Sequence, residues 1–121
     1  MKKLAVFSLI ILFISCFENQ NSSPSETAKM VAESFYKGDK ATLKKHTTAE
    51  GYANLASIQS MFEEDKNSES NFKILDEAME GDIAWVKYST SYDPSPGVFK
   101  IIKEDGLWKV THNGPREKAP F

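Results

Sequence analysis

The run GVFKIIKEDGLWKVTHN, Gly97 to Asn113, decides the fold. Two apolar-rich segments flank Asp105-Gly106, a pair suited to a two-residue hairpin turn whose central residues take positive φ. Closing the chain there sets Lys103 opposite Trp108, Ile101 opposite Val110 and Phe99 opposite His112. One face of the hairpin then carries Phe99, Ile101, Trp108 and Val110. The other carries Lys100, Ile102, Leu107, Lys109 and Thr111. A face with two aromatic and two branched aliphatic side chains needs a cover. The hairpin therefore predicts a helical layer elsewhere in the chain, with Trp108 packed on the helix carrying Val31 and Phe35.

Upstream of the hairpin, Phe72 to Glu80 and Ile83 to Tyr92 read as two more strands joined at Gly81-Asp82. In the second, Ala84, Val86, Tyr88, Thr90 and Tyr92 alternate with Ile83, Trp85, Lys87, Ser89 and Ser91. The first set is expected to meet the helices, leaving Trp85 partly exposed on the outer face as a candidate partner surface. Asp93 to Gly97, DPSPG, reads as a loop into the hairpin.

The amino-terminal half supplies the helices. Ser23-Pro24-Ser25-Glu26 is a helix start, with Ser23 as N-cap, Pro24 in the first position and Glu26 closing a capping box. Ala28, Val31, Ala32 and Phe35, with Tyr36 at the margin, form an apolar stripe that Gly38 ends. Asp39 caps a short second helix through Leu43 to Lys45. A third runs roughly from Glu50 to Phe62, and the polar stretch EEDKNSESN then leads to the sheet. Three helices followed by four strands in an antiparallel meander read as an α+β domain, residues 24–113, with a tail at 114–121.

Composition narrows the function classes. The chain has 121 residues, 40% hydrophobic and 26% charged, with a net charge of −2. That suits one globular domain with a modest core, and it carries no basic excess for nucleic acid. A single cysteine excludes an internal disulfide. Lys2 and Lys3 precede an apolar run from Leu4 to Ile14, about half the ~20 residues a membrane-spanning helix needs. The basic flank and short apolar run fit a signal peptide over residues 1–15. Residues 16–23 are polar and rich in turn formers, as in a tether.

Phe13-Ile14-Ser15-Cys16 resembles the lipobox of bacterial lipoprotein precursors, with Phe13 where leucine is usual. The resemblance implies cleavage before Cys16, lipidation of its thiol and acylation of the new amino group, anchoring the protein in the bacterial envelope. Several acyl chains hold a protein persistently, at ~0.8 kcal/mol per buried CH₂, where one binds marginally.

The helix SETAKMVAESFYKGD, the strand IAWVKYST and the closing DGLWKV together resemble the nuclear transport factor 2-like (cystatin-like) lipoproteins of unknown function. The likeness spans roughly Pro24 to Thr111. It implies N-terminal helices packed on a curved four-stranded antiparallel meander, a cystatin-like cone, and it implies no catalytic residues.

Candidate chemistry centres on that cone. If Gly81-Asp82 is a two-residue turn, Glu77 shares the helix-side face with Leu75, Met79, Val86 and Tyr88; a one-residue slip puts Asp76 there instead. Either carboxylate, desolvated, could serve as a general base, although a rim position in water is the simpler reading. Tyr36, Tyr52 and Tyr88 are candidate pocket residues through their hydroxyls, or core aromatics with a wet edge. His46 and His112 lie far apart and lack neighbours of ligand type, so no metal motif is expected. Nor is a phosphate loop or nucleophile elbow present, and no cofactor is expected. The sequence thus predicts a non-catalytic domain, anchored to a membrane by lipid, that binds a small apolar ligand or an envelope protein. The alternative is a small isomerase or dehydratase with Asp76 or Glu77 as base.

Overall fold

The computed structural model describes residues 22–64, 67–114 and 117–121. Helices α1 (Pro24–Lys37), α2 (Lys40–Lys45) and α3 (Ala49–Ile58) come first, α3 running into a 3₁₀ turn at Gln59–Met61. Strands β1 (Lys73–Glu80), β2 (Ile83–Thr90), β3 (Asp93–Glu104) and β4 (Leu107–Thr111) follow. They form one antiparallel sheet in the order β1-β2-β3-β4. Among the described residues, no helix is long and apolar enough to cross a membrane. The predicted signal peptide, Cys16 and most of the tether lie outside the described residues.

Side-chain caps set the helix boundaries. The Ser23 hydroxyl accepts the Glu26 N–H at 3.2 Å and bonds the Glu26 carboxylate at the same distance. Pro24 occupies the first turn, where its missing N–H costs nothing. Gly38, at φ 73°, ends α1 and returns its N–H to the Phe35 carbonyl. Asp39 then caps α2 by accepting the Thr42 N–H, and Thr48 caps α3 by accepting the Gly51 N–H.

The last hairpin has the expected register, with Lys103 opposite Trp108 and Ile101 opposite Val110. Asp105 and Gly106 sit at φ 55° and 78°, both left-handed. Strand β4 stops at Thr111, so Phe99 and His112 do not pair. A Cβ at Gly106 would meet no other atom within 4 Å. The cost of Gly106→Val is therefore conformational, and the substitution should lower stability by about 1–3 kcal/mol. An unchanged midpoint of urea unfolding would contradict this.

Helix α1 packs across β2, β3 and β4, and α3 packs on β4. The core joins Ala28, Val31, Phe35 and Leu43 to Ala84, Val86, Ile101 and Val110. Trp108 is half-buried at its margin. Beyond this cover β1 is mostly exposed, with Ile74, Leu75 and Met79 among its solvent-facing residues.

Two strand readings change. The DPSPG segment is the start of β3 and not a loop. Proline is tolerated because β4 ends opposite Lys100, so residues 93–98 form a sheet edge on that side. In β1 the turn at Gly81-Asp82 does have two residues, with Glu80 opposite Ile83 and Glu77 opposite Val86. A bulge between Ile74 and Asp76 then reverses the alternation, placing Ile74, not Leu75, opposite Tyr88.

The free side of β4 is partly closed by residues 46–48, bridged in parallel at Thr47 and Val110. The Val110 N–H donates to the His46 carbonyl and the Thr48 N–H donates to the Val110 carbonyl, each at 2.9 Å. Burial, then the charges of Lys45 and Lys109, push the His46 pKa below its ordinary value. The unfolded chain therefore binds a proton more readily, and stability should fall as pH drops from about 6.5 through the folded value. In His46→Gln the difference between urea midpoints at about pH 7.5 and about pH 5 should shrink. An undiminished difference would assign the acid sensitivity to other groups.

Candidate functional site

At the end of the sheet where β2 turns into β3, aromatic side chains gather from every layer. Tyr88 stacks on Phe72 with ring centroids 5.4 Å apart and leans on Phe99 at 4.7 Å. Tyr36 packs edge-on to Phe35 at 5.1 Å and lies 4.7 Å from Tyr92, while Phe62 reaches Phe35 at 6.1 Å. Between them is a cleft of about 190 Å³ lined by Ala32, Phe35 and Tyr36 of α1, Leu55 and Ile58 of α3, then Phe62, Tyr88, Asp93 and Phe99. A larger hollow of about 540 Å³ lies on the outer side of α1, where Glu33, Lys37, Asp39 and Lys40 make it a groove between charged side chains. The aromatic cleft is the better match to a small-molecule site, whose walls are mainly apolar with a few placed polar groups.

Two residues unremarkable in the sequence give the cleft its shape. Gln59 is wholly buried, and its amide donates to the Ser34 and Phe35 carbonyls at 3.2 and 3.0 Å. It ties the end of α3 to the end of α1, fixing the distance between two walls. Its side-chain oxygen has no partner among the described residues. Gly97 lies opposite Tyr88 across the β2–β3 ladder. A Cβ there would come within 2.5 Å of the Tyr88 Cζ and hydroxyl oxygen, so only glycine lets the ring lie flat on β3.

The polar residues among those lining the cleft are Tyr36, Tyr88 and Asp93. Burial pushes the Tyr88 hydroxyl well above its ordinary pKa, with Tyr36 and Asp93 adding to the effect. Tyr36 is raised by burial, then by Asp93 and Glu64. Both hydroxyls are therefore protonated at neutral pH and able to donate. Asp93 Oδ1 accepts the Ser95 N–H at 2.9 Å, which orients the carboxylate at the rim.

Of the predicted pocket residues, Tyr36 and Tyr88 line the cleft, and Tyr52, Asp76 and Glu77 do not. Tyr52 packs on the core from α3, with the Lys44 ammonium 5.8 Å from its ring centroid. Asp76 and Glu77 are exposed on β1, and Asp76 Oδ1 accepts the N–H of Glu77 itself. Glu77 does take the helix-side register, but the helices pack mainly on β2–β4 and leave it exposed. The carboxylate beside the cleft is Asp93. Its place in a DPSPG run was the only sequence signal for it, and that run read as a loop.

Trp85 is only 6% exposed, which corrects its assignment as a partner surface. It sits on the outer face between Ala78 and Lys100. The Lys100 ammonium pairs with Glu117, and Glu117 also accepts the Gly114 N–H. That pair holds Glu117 against Lys100, the residue opposite Trp85 on β3. Of the two histidines, His46 is held at the edge of β4 and His112 lies exposed just beyond its end.

These features define an α+β domain of the NTF2-like fold. Among solved structures, the chain is similar to a Campylobacter jejuni protein bearing the provisional name NTF2-like transpeptidase, at a TM-score of 0.55 and 16% identity, over 76% of this chain and 100% of that one. It is also similar to an NTF2-like protein of unknown function from Shewanella baltica, at a TM-score of 0.53 and 14% identity, over 75% of this chain and 93% of that one. Neither a protein-family model nor a curated protein sequence matches the chain. At these identities the likeness establishes the fold alone, and fold does not fix activity.

Proposed function

We propose that the chain is a lipid-anchored envelope protein whose NTF2-like domain binds a small, largely apolar ligand in the cleft between α1, α3 and the β2–β3 end of the sheet. The observation that carries this reading is the cleft itself, with aromatic walls and two tyrosines among its lining residues. The isomerase alternative loses its support, because both carboxylates nominated as base stand on β1 outside the cleft. A transpeptidase activity is not carried over either: covalent acyl transfer needs a nucleophilic side chain, and among the described residues no Ser, Thr or Cys lines this cleft. The anchor rests on Cys16 and the apolar run before it.

Two measurements test the proposal. Labelled fatty acid should enter the wild-type protein in bacteria and not Cys16→Ala; an unlabelled wild type would overturn the anchor. Benzyl alcohol, titrated against the purified domain and followed by ligand NMR linewidth, should bind saturably. A strictly linear, non-saturating response would overturn the binding cleft.

A further inference from the structure

We propose that the cleft selects an organic cation, a small apolar body carrying a quaternary or protonated amine, over a neutral molecule of the same shape. This deepens the ligand-binding reading above and rests on it. The walls are built from the faces and edges of Phe35, Tyr36, Phe62, Tyr88 and Phe99. Aromatic faces attract a cation through their quadrupole, most strongly where water is excluded. Among the described residues, Asp93 is the one charged residue lining the cleft, and no lysine, arginine or histidine lines it.

A second carboxylate stands close by. The Glu64 N–H donates to the Tyr36 carbonyl, which brings Glu64 to the Tyr36 side of the cleft, while Asp93 stands on the β3 side. Both carboxylates disfavour ionisation of Tyr36, and Asp93 does the same to Tyr88. The two carboxylates thus make the surroundings of both tyrosines electronegative. A neutral apolar ligand gains nothing from that charge, and an anion is repelled by it. A cation gains from the walls and the rim together.

Size sets the class further. At about 190 Å³ the cleft is smaller than the ~300–1,000 Å³ typical of drug-sized sites. It suits a compact head such as trimethylammonium and not a fused-ring ligand.

The test compares choline with its neutral isostere 3,3-dimethyl-1-butanol on the purified full-length protein, by NMR titration. Choline should bind roughly five- to tenfold more tightly, as expected for one partly exposed charge pair plus cation–π contact. Asp93→Asn, which keeps the oxygen that accepts the Ser95 N–H, should narrow that difference by the share of the charge pair. Asp82→Asn, an exposed carboxylate in the β1–β2 turn, should alter neither affinity. Equal affinity for the two probes in the wild type would overturn the cation preference while leaving the cleft as a binding site. Failure of both probes and of benzyl alcohol to bind would overturn the cleft reading itself. The wild-type comparison needs no variant, so a misfolded Asp93→Asn would not shield the proposal.

Discussion

Alanine at position 97 should close the cleft to ligand and destabilise the domain by about 1–3 kcal/mol, the usual cost of forcing one extra carbon into a packed site. The backbone at Gly97 is not left-handed, so strain in φ is not the cause. The cause is contact: the new Cβ would lie 2.5 Å from the far end of the Tyr88 ring. An unconstrained tyrosine would swing aside at little cost. This one is held between Phe72 and Phe99, so moving it breaks both ring contacts. The displaced ring has the cleft to move into, which is why binding should suffer more than stability. Benzyl alcohol affinity should drop by at least tenfold, alongside a lower urea midpoint. A Gly97→Ala protein with wild-type stability and affinity would mean that Tyr88 is not fixed where it is described.

The largest loss of stability is expected from Ile101→Ala. Ile101 is wholly buried at the centre of the sheet, opposite Ala84 on one side and Val110 on the other. Removing three carbons from such a site costs transfer energy and leaves a cavity, together about 2–5 kcal/mol. Small domains have roughly 5–15 kcal/mol in total, so the variant should sit close to its unfolding limit at room temperature. Ile102, the next residue, is half-buried on the opposite face, and its truncation should cost clearly less. Equal urea midpoints for Ile101→Ala and Ile102→Ala would contradict the assignment of the helix-covered face.

What could be read in the sequence was whatever local chemistry decides. Asp105-Gly106 marks a turn because few residues tolerate two successive positive φ values, and Ser23, Gly38 and Asp39 mark helix ends because backbone groups there need partners. Alternation then placed Ala84, Val86 and Ile101 under the helices correctly. What could not be read depends on neighbours distant in the chain. Pro94 and Pro96 signal a loop unless β4 is known to stop at Thr111 and leave an edge. The bulge at Leu75 carries no signature of its own, yet it decides which of Ile74 and Leu75 faces Tyr88.

The candidate site was half legible for the same reason. Tyr36 and Tyr88 lie on a helix stripe and a strand face that their periodicity reveals. Gln59 belongs to no sequence motif, and its burial goes with the two carbonyls that α1 presents to it. Trp85 reads as partly exposed because alternation puts it on the face away from the helices, and it is buried there all the same. Asp76 and Glu77 drew notice as carboxylates on a strand, but desolvation depends on where the helices end, and they end over β2.

A small apolar ligand held between α1 and the β2–β3 end of the sheet would touch residues of both. The most direct measurement is the set of intermolecular NOEs between benzyl alcohol and the protein. The account predicts contacts from the ligand ring to the ring protons of Tyr36, Tyr88 and Phe99 and to the methyl groups of Leu55 and Ile58. Contacts confined to Ile74, Leu75 and Met79 on the exposed β1 strand would contradict it.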